Sequence, residues 1–164
     1  AQMNWWWFRT EPPVVEEVQD DDLPRLAEIH ANSFEHAWDE DELARMVSQA
    51  GVFALVVRRA NPFGTRKPLG FILIRSVAGE AEILTIAVDP KHRGRGLAEK
   101  LLQQAMFRLY GERCECLFLE VDAANEPALR LYRARGFRKV GERKGYYRAG
   151  DGDGTALVMR VDLL

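Results

Sequence analysis

Residues 83–102, I-L-T-I-A-V-D-P-K-H-R-G-R-G-L-A-E-K-L-L, decide the fold of this chain, because they join two regular elements through a basic, glycine-bearing turn. The positions up to Val88 are almost all apolar, which predicts a strand covered on both faces. After the turn, apolar residues recur at steps of three and four, which predicts a helix of about four turns with one buried face. A strand, a glycine turn and a helix in this order are typical of a phosphate-binding corner.

The turn itself, R-G-R-G-L-A over residues 93–98, combines a permissive backbone with positive charge. Glycine lets the backbone approach a ligand closely, and the first unpaired N–H groups of a helix attract an anion. Lys91 and His92 add two more basic side chains just before it. A diphosphate-bearing ligand suits this corner, although a solvated basic loop or a weak nucleic-acid patch fits the same residues about equally well.

The spacing of the glycines separates this turn from two common nucleotide motifs, since neither G-x-x-x-x-G-K-[ST] nor G-x-G-x-x-G fits. The pattern [R/Q]-x-x-G-x-[G/A] does fit, and Arg93, Gly96 and Ala98 carry it directly after a strand that ends in A-V-D-P. With this arrangement the chain resembles the GNAT superfamily of N-acetyltransferases. In that superfamily the backbone of the equivalent turn holds the diphosphate of acetyl-CoA.

The second half of the chain carries a further GNAT-like pattern. Residues 116–121, C-L-F-L-E-V, predict a short buried strand, and a helix is expected within residues 122–137. Asn125 is the expected N-cap, Pro127 is tolerated in the first turn, and Gly136 stands where a helix would end in a left-handed residue. The combined pattern L-E-V-x-x-x-N-x-x-A-x-x-L-Y-x-x-x-G-F resembles the second GNAT signature.

Shorter segments narrow the resemblance to the branch that acetylates the N-terminal alanine of ribosomal protein S18. They are F-E-H-A-W at residues 34–38, T-I-A-V-D-P, F-L-E-V and R-K-G-Y-Y at residues 143–147. Ala37 replaces a proline that is common in this branch, D-G-D-G-T begins at residue 151 where an acidic pair is frequent, and the connection at 58–68 is long. These departures bear on the acceptor and leave the expected coenzyme site intact.

The resemblance implies a chemical role for two residues. Glu120 falls on the general base of the branch, and Tyr132 falls on the acid that protonates the departing coenzyme thiolate. Without the resemblance, Glu120 is more simply a salt-bridged glutamate at a strand end, and Tyr132 is a core residue. The candidate walls of the acceptor groove are aromatic, with a packing role nearly as well supported for each: Phe34, Trp38, Tyr146 and Tyr147.

The coenzyme is expected to lie along the end of the strand and the turn that follows it. In this fold two parallel strands splay apart, so their unpaired backbone groups can bind the amides of the coenzyme arm. One N–H, at Ala87 or Val88, is expected to polarise the thioester carbonyl. The full set implied for coenzyme binding is Ile86, Ala87, Val88, Arg93, Gly94, Arg95, Gly96, Leu97, Ala98, Glu99, Asn125 and Tyr132.

Composition limits the broad class of the protein. A length of 164 residues with 47% apolar content suits one compact domain, and we expect an aromatic extension at 1–13 before an N-acetyltransferase domain at 14–164. A net charge of −2 argues against nucleic-acid binding by counterion release. Two cysteines and three scattered histidines suggest neither a disulfide framework nor a metal site. The aromatic run W-W-W-F is too short to span a membrane, so we expect a cytoplasmic protein. We also expect a monomer or a weak homodimer.

The predicted order of elements is β-α-α-β-β-β-α-β-α-β-β. This is an α+β domain, and the resemblance implies a mixed, mostly antiparallel sheet of about seven strands with about four flanking helices. The leading hypothesis is transfer of acetyl from acetyl-CoA to the α-amine of a protein N-terminus, with ribosomal protein S18 as the favoured partner. The alternatives are a GNAT enzyme that acts on a lysine or a small amine, and an acyl-CoA sensor without turnover. Retention of both Glu120 and Tyr132 argues against the sensor.

Overall fold

A computed structural model describes residues 12–59, 65–145 and 154–164. Within these ranges the chain forms seven strands and four α-helices, which in chain order are β1 (Pro13–Glu17), α1 (Leu23–Ala31), α2 (Glu40–Ser48), β2 (Val52–Arg59), β3 (Gly70–Val77), β4 (Glu80–Val88), α3 (Leu97–Gly111), β5 (Cys116–Asp122), α4 (Glu126–Ala134), β6 (Arg138–Arg143) and β7 (Ala156–Asp162). The strands form one sheet in the order β1-β2-β3-β4-β5-β7-β6. The predicted α+β class and order of elements are confirmed.

Helices cover both faces of this sheet, which explains why the central strands are apolar at successive positions. Alternate residues of β2 supply opposite faces: Val57 belongs to the core that contains α3 and α4, and Val56 belongs to the core that contains α1 and α2. A strand packed on both sides must bury every side chain, so its sequence is a continuous apolar run.

Among the described residues, no helix combines the length and apolar character that a membrane crossing requires.

The strands β4 and β5 run parallel and then part. Their pairing joins Glu80 to Cys116, Ala81 to Leu117 and Glu82 to Phe118, and beyond Glu82 these two fully described strands no longer pair with each other. On the other edge of β4, residues 73 and 74 of β3 pair with residues 85 and 83, so Leu84 is an extra residue in the ladder. Such a bulge bends its strand. The splayed central strands that the resemblance implied are present.

The polar residues that precede α4 and α1 act differently. Asn125 caps α4 as expected, since its side-chain oxygen accepts from the N–H of Ala128 at 3.2 Å. The acidic run before α1 acts otherwise, because Asp20–Asp22 forms its own 3₁₀ turn. The Asp22 carboxylate accepts from the Gln19 N–H at 2.9 Å and pairs with the buried Arg58 guanidinium at 2.8 Å. It ties α1 to β2 instead of capping the helix.

Candidate active site

A cleft of about 750 Å³ opens where β4 and β5 separate. Its walls come from both strands, from the turn before α3, from α4 and from the residues that follow α1. Most of the predicted coenzyme residues line it, namely Ile86, Ala87, Val88, Arg93, Gly94, Gly96, Leu97, Ala98, Glu99, Asn125 and Tyr132. Arg95 is exposed on the same turn and is not among the residues that line the cleft.

The open edge of β4 presents backbone groups to this cleft. The N–H of Asp89 donates to the Leu69 carbonyl at 2.7 Å, on the side of β3. Because successive N–H groups of a strand point to opposite edges, those of Val88 and Ile86 face the cleft, and that of Ala87 faces β3. The sequence left Ala87 and Val88 as alternatives for an oxyanion donor, and this alternation favours Val88.

The turn between β4 and α3 leaves open space above its backbone. Gly94 and Gly96 have left-handed φ angles of 76° and 75°, and a Cβ on either would meet no described protein atom within 4 Å. Gly96 directly precedes α3, whose first N–H groups and positive dipole end favour an anion. A turn of this shape fits a diphosphate, since no side chain of the turn glycines separates a ligand from the backbone.

The buried carboxylate of Asp89 holds the start of this turn. It accepts from the Lys91 N–H at 3.2 Å, pairs with Arg25 of α1 at 2.7 Å and lies 3.2 Å from Nδ1 of His92. Burial raises the pKa of Asp89, but the hydrogen bonds from Lys91, Arg25 and His92 outweigh it and hold the pKa below its ordinary value of 3.8. The carboxylate therefore stays ionised at neutral pH.

Arg93 of the diphosphate motif is bonded to the protein itself. Its Nε donates to the carbonyl of Val88 at 3.2 Å, and its Nη2 donates to Oγ of Ser33 at 3.1 Å. This side chain joins the end of β4 to the residues that follow α1. The guanidinium therefore has a structural function in addition to the charge that it brings to the turn.

Strand β5 and helix α4 bring Glu120 and Tyr132 to the same cleft. The half-buried Glu120 carboxylate accepts a hydrogen bond from the exposed Arg143 guanidinium of β6. Tyr132 is 5% exposed, and its ring lies 5.5 Å from that of Phe137 between centroids. Both sequence interpretations therefore have a structural basis, because Glu120 is salt-bridged as well as in the cleft, and Tyr132 is packed as well as in the cleft.

The four predicted walls of the acceptor groove are placed differently. Phe34 lines the cleft and is 42% exposed. Trp38 is not among the lining residues and stacks on the buried ring of His30, with centroids 4.7 Å apart and planes at 11°. Tyr146 and Tyr147 lie outside the described residues.

Comparison with known proteins identifies the family. The Acetyltransferase (GNAT) family model matches residues 3–137. This chain belongs to the GNAT family. As a member, it is an acetyl-CoA-dependent N-acetyltransferase.

Individual GNAT relatives match nearly the whole chain. The N-alpha-acetyltransferase RimI of Mycobacterium tuberculosis (strain ATCC 25618 / H37Rv) is 33% identical over 159 residues, covering 93% of this chain and 94% of that protein. The [ribosomal protein bS18]-alanine N-acetyltransferase of Escherichia coli (strain K12) is 27% identical over 149 residues, covering 91% and 97%. The crystal structure of the ribosomal-protein-S18-alanine N-acetyltransferase from Escherichia coli superposes with a TM-score of 0.83 at 26% identity, covering 93% of this chain and 94% of that one.

Several residues of this GNAT cleft had no predicted role. Ser33 and Asp122 line it, and Arg143 pairs with Glu120 from a strand two places away in the sheet. Arg143 begins the R-K-G-Y-Y segment that carried part of the resemblance, so the sequence held a signal for Arg143. Nothing in the sequence pairs it with Glu120.

Within the described ranges, no group of three or more His, Cys, Asp or Glu side chains is arranged to hold a metal ion.

Proposed function

We propose that this GNAT enzyme transfers acetyl from acetyl-CoA to the α-amine of a protein N-terminus, with the alanine of ribosomal protein S18 as its acceptor. One observation carries the proposal: a single cleft contains the diphosphate-type turn, the carboxylate of Glu120 and the side chain of Tyr132. Relatives at 27% and 33% identity whose names describe α-amine or S18-alanine acetylation support the choice of acceptor.

The cleft residues fit the coenzyme in two places. The open turn over Gly94 and Gly96 and the first N–H groups of α3 suit its diphosphate. The free edge of β4 suits its amide-bearing arm, because Ile86 and Val88 offer backbone groups that β5 no longer pairs. Acetyl-CoA supplies the activated acetyl group. The N–H of Val88 is the donor that we assign to the negative charge that develops on the carbonyl oxygen during transfer.

Glu120 is assigned as the base that takes a proton from the incoming amine, directly or through one water molecule. An α-amino group has a reference pKa of about 7.7 to 8.0, against about 10.4 for lysine. At pH 7, roughly a tenth of α-amines are neutral, against well under a thousandth of lysines. A single carboxylate is therefore a sufficient base for an α-amine. The hydrogen bond from Arg143 fixes where that carboxylate points.

Tyr132 is assigned as the acid on the other side of the reaction. Its position in the cleft suits donation of the phenolic proton to the departing sulfur. A thiolate released into a cleft with limited access to water is stabilised by a donor close to sulfur. The proton that Glu120 gains and the proton that Tyr132 loses are then exchanged with solvent, so both residues return to their starting forms.

A peptide panel tests this function. The protein is incubated with acetyl-CoA and three acceptors: a peptide with a free N-terminal alanine, the same peptide with a blocked N-terminus and an internal lysine, and a small polyamine. We expect one acetyl group on the first acceptor and none on the other two, scored by product mass. Transfer to the blocked peptide or to the polyamine alone would establish the lysine or small-amine alternative. Tight acetyl-CoA binding with no transfer at all would indicate a sensor.

A further inference from the structure

His30 at the end of α1 is buried, although the histidines of this chain appear scattered in the sequence and suggested no site. The residue is 3% exposed, and its Nδ1 lies 3.0 Å from the backbone nitrogen of Trp38. A backbone N–H is always a donor, so Nδ1 must be an unprotonated acceptor. The ring is therefore neutral and carries its proton on Nε2. Burial is the cause that lowers the pKa of His30 to about 4, which agrees with a neutral ring.

This one residue holds the segment that joins α1 to α2, residues 32–39, which we call the acceptor segment. The carbonyl of His30 accepts from the N–H groups of Ser33 at 3.1 Å and Phe34 at 3.0 Å. The His30 ring stacks on Trp38 and packs against Phe34 with centroids 4.4 Å apart. Together with the Trp38 N–H, three amides and two aromatic rings of the acceptor segment contact His30.

The acceptor segment reaches the cleft at one end. Ser33 and Phe34 both line the cleft, whereas Trp38 does not. Arg93 donates to Ser33 Oγ at 3.1 Å and to the Val88 carbonyl at 3.2 Å, so the same end of the segment is tied to the end of β4. A shift of the segment would therefore move Phe34 relative to the open edge of β4.

We propose that His30 is the positioning residue of the acceptor side, fixing residues 32–39 so that Phe34 forms a defined wall for the incoming N-terminus. It sets affinity for the acceptor and leaves affinity for acetyl-CoA unchanged. His30 is not among the residues that line the cleft, so it acts through Phe34 and Trp38 and is not catalytic. The inference rests on the proposed function, because it needs an acceptor chain to bind beside Phe34.

Two substitutions separate the hydrogen bond from the ring. His30→Phe keeps a flat ring for the stack but removes the acceptor of the Trp38 N–H, leaving that donor unpaired in a part-buried site. His30→Asn loses the ring but places an oxygen near the position of Nδ1. For His30→Phe we expect the KM for an N-terminal-alanine peptide to rise about 10-fold, with kcat and the KM for acetyl-CoA within about 2-fold of wild type. For His30→Asn the peptide KM should rise only about 3-fold.

A parallel rise of both KM values, or an asparagine variant as impaired as the phenylalanine variant, would overturn the positioning role. Should His30→Phe fail to fold, His30→Asn and Ser33→Ala carry the test. Ser33→Ala removes one hydrogen bond of Arg93, whose Nε still donates to the Val88 carbonyl, and should raise the peptide KM by about 3-fold. An unchanged peptide KM in both of these variants would contradict the inference.

Amide hydrogen exchange of residues 32–39 provides a readout that does not depend on turnover. Exchange at Trp38 should be faster in His30→Phe than in wild type and close to wild type in His30→Asn, because only the latter keeps an acceptor. Equal exchange in all three proteins would refute the role of His30 whatever the enzyme acetylates. Suppose that the three proteins show the expected exchange but the wild type acetylates no α-amine. This result would refute the proposed function and leave the contact of His30 with residues 32–39 in place.

Discussion

The two sides of the cleft are built in different ways. The proposed coenzyme side, residues 83–98, is a continuous stretch that lines the cleft and includes two left-handed glycines. The proposed acceptor side combines residues 32–39 with Glu120 and with Arg143, which come from three separate parts of the chain. Its shape depends on side-chain contacts such as the one between His30 and Trp38. A binding site formed by backbone groups can keep its shape in many sequences. The shape of a site formed by side chains changes with each substitution.

This difference has a consequence for the evolution of specificity. The GNAT coenzyme is common to the family, and the part of the chain that suits it is local and repeats the family pattern. The departures of this chain from the family pattern, Ala37 and the long connection before β3, fall outside residues 83–98 in the sequence. Acceptor preference can therefore diverge while coenzyme binding stays constant, and substitutions on the two sides should affect different kinetic constants.

The largest effect is expected on the acceptor side. Glu120→Gln keeps the shape of the side chain but removes the base, so kcat should fall by about 10²-fold or more at neutral pH. Part of the rate should return at alkaline pH, where the α-amine is neutral without help. Glu82→Gln is the matched control, since Glu82 pairs with Arg75 at 3.2 Å and is not a lining residue of the cleft. A wild-type pH-rate profile in Glu120→Gln would leave Glu120 with only its ion-pair role.

Tyr132→Phe tests the proposed acid, which comes from α4 and not from residues 83–98. We expect a loss of about 10²-fold in kcat with acetyl-CoA affinity within about 3-fold of wild type. A thioester with a better leaving group should narrow the gap, because protonation matters less when the thiolate departs easily. Tyr110→Phe, on the exposed face of α3, serves as the control and should leave kcat and acetyl-CoA affinity unchanged. Loss of binding in step with rate would make Tyr132 a packing residue.

Gly96→Val tests the turn through binding alone. A β-branched side chain at a φ of 75° adds roughly 1–2 kcal/mol of backbone strain and projects into the open space over the turn. We expect acetyl-CoA affinity to weaken about 50-fold by titration calorimetry, with little change in the KM for the peptide. Gly111→Val is the control, because a Cβ there also meets no described atom within 4 Å but the φ is not left-handed. Equal dissociation constants for the two variants would remove the turn from the coenzyme site.

His30 predicts a pH dependence of stability on the acceptor side. Its pKa is about 4 in the folded protein against an ordinary value of 6.5, so the unfolded chain binds more protons between these limits. Stability should therefore fall as the pH drops from 6.5 toward 4, by about 2 kcal/mol at pH 5. Asp22 and Asp89 have pKa values below 3.8, so they contribute only at lower pH. Urea unfolding at pH 7.5 and 5 would measure the effect, and His30→Asn should abolish it.

The local structure of residues 83–98 was predictable because its information is local. Strand, turn and helix follow one another in residues 83–98, and the periodicity of the side chains reports which faces are buried. The cap of α4 by Asn125 was predictable for the same reason, since its partner Ala128 is three residues away. The mixed, mostly antiparallel sheet and the splay of β4 from β5 followed from the resemblance to the GNAT superfamily, not from periodicity.

Contacts between distant residues could not be predicted from the sequence. The Arg93 to Ser33 hydrogen bond spans 60 positions, and the Arg143 to Glu120 pair spans 23. Nothing in an exposed arginine identifies its partner, because many carboxylates and hydroxyls are compatible with it. His30 illustrates a different limit: a histidine at a helix end reads as polar surface, and only the packing of Phe34 and Trp38 makes it a buried acceptor.

The short parallel ladder between β4 and β5 divides the sheet into two antiparallel parts, β1 to β4 and β5 to β7. Glu80, Ala81 and Glu82 form the whole of that ladder on one side, whereas the ladders inside each part run nearly the length of their strands. The free energy of local opening should therefore be lowest at the ladder between β4 and β5. The two parts of the sheet should unfold as separate cooperative units. A ligand in the cleft contacts both units, and at about 100 times its dissociation constant it adds about 2.7 kcal/mol to the free energy of unfolding. Bound acetyl-CoA should therefore raise the resistance of the protein to proteolysis.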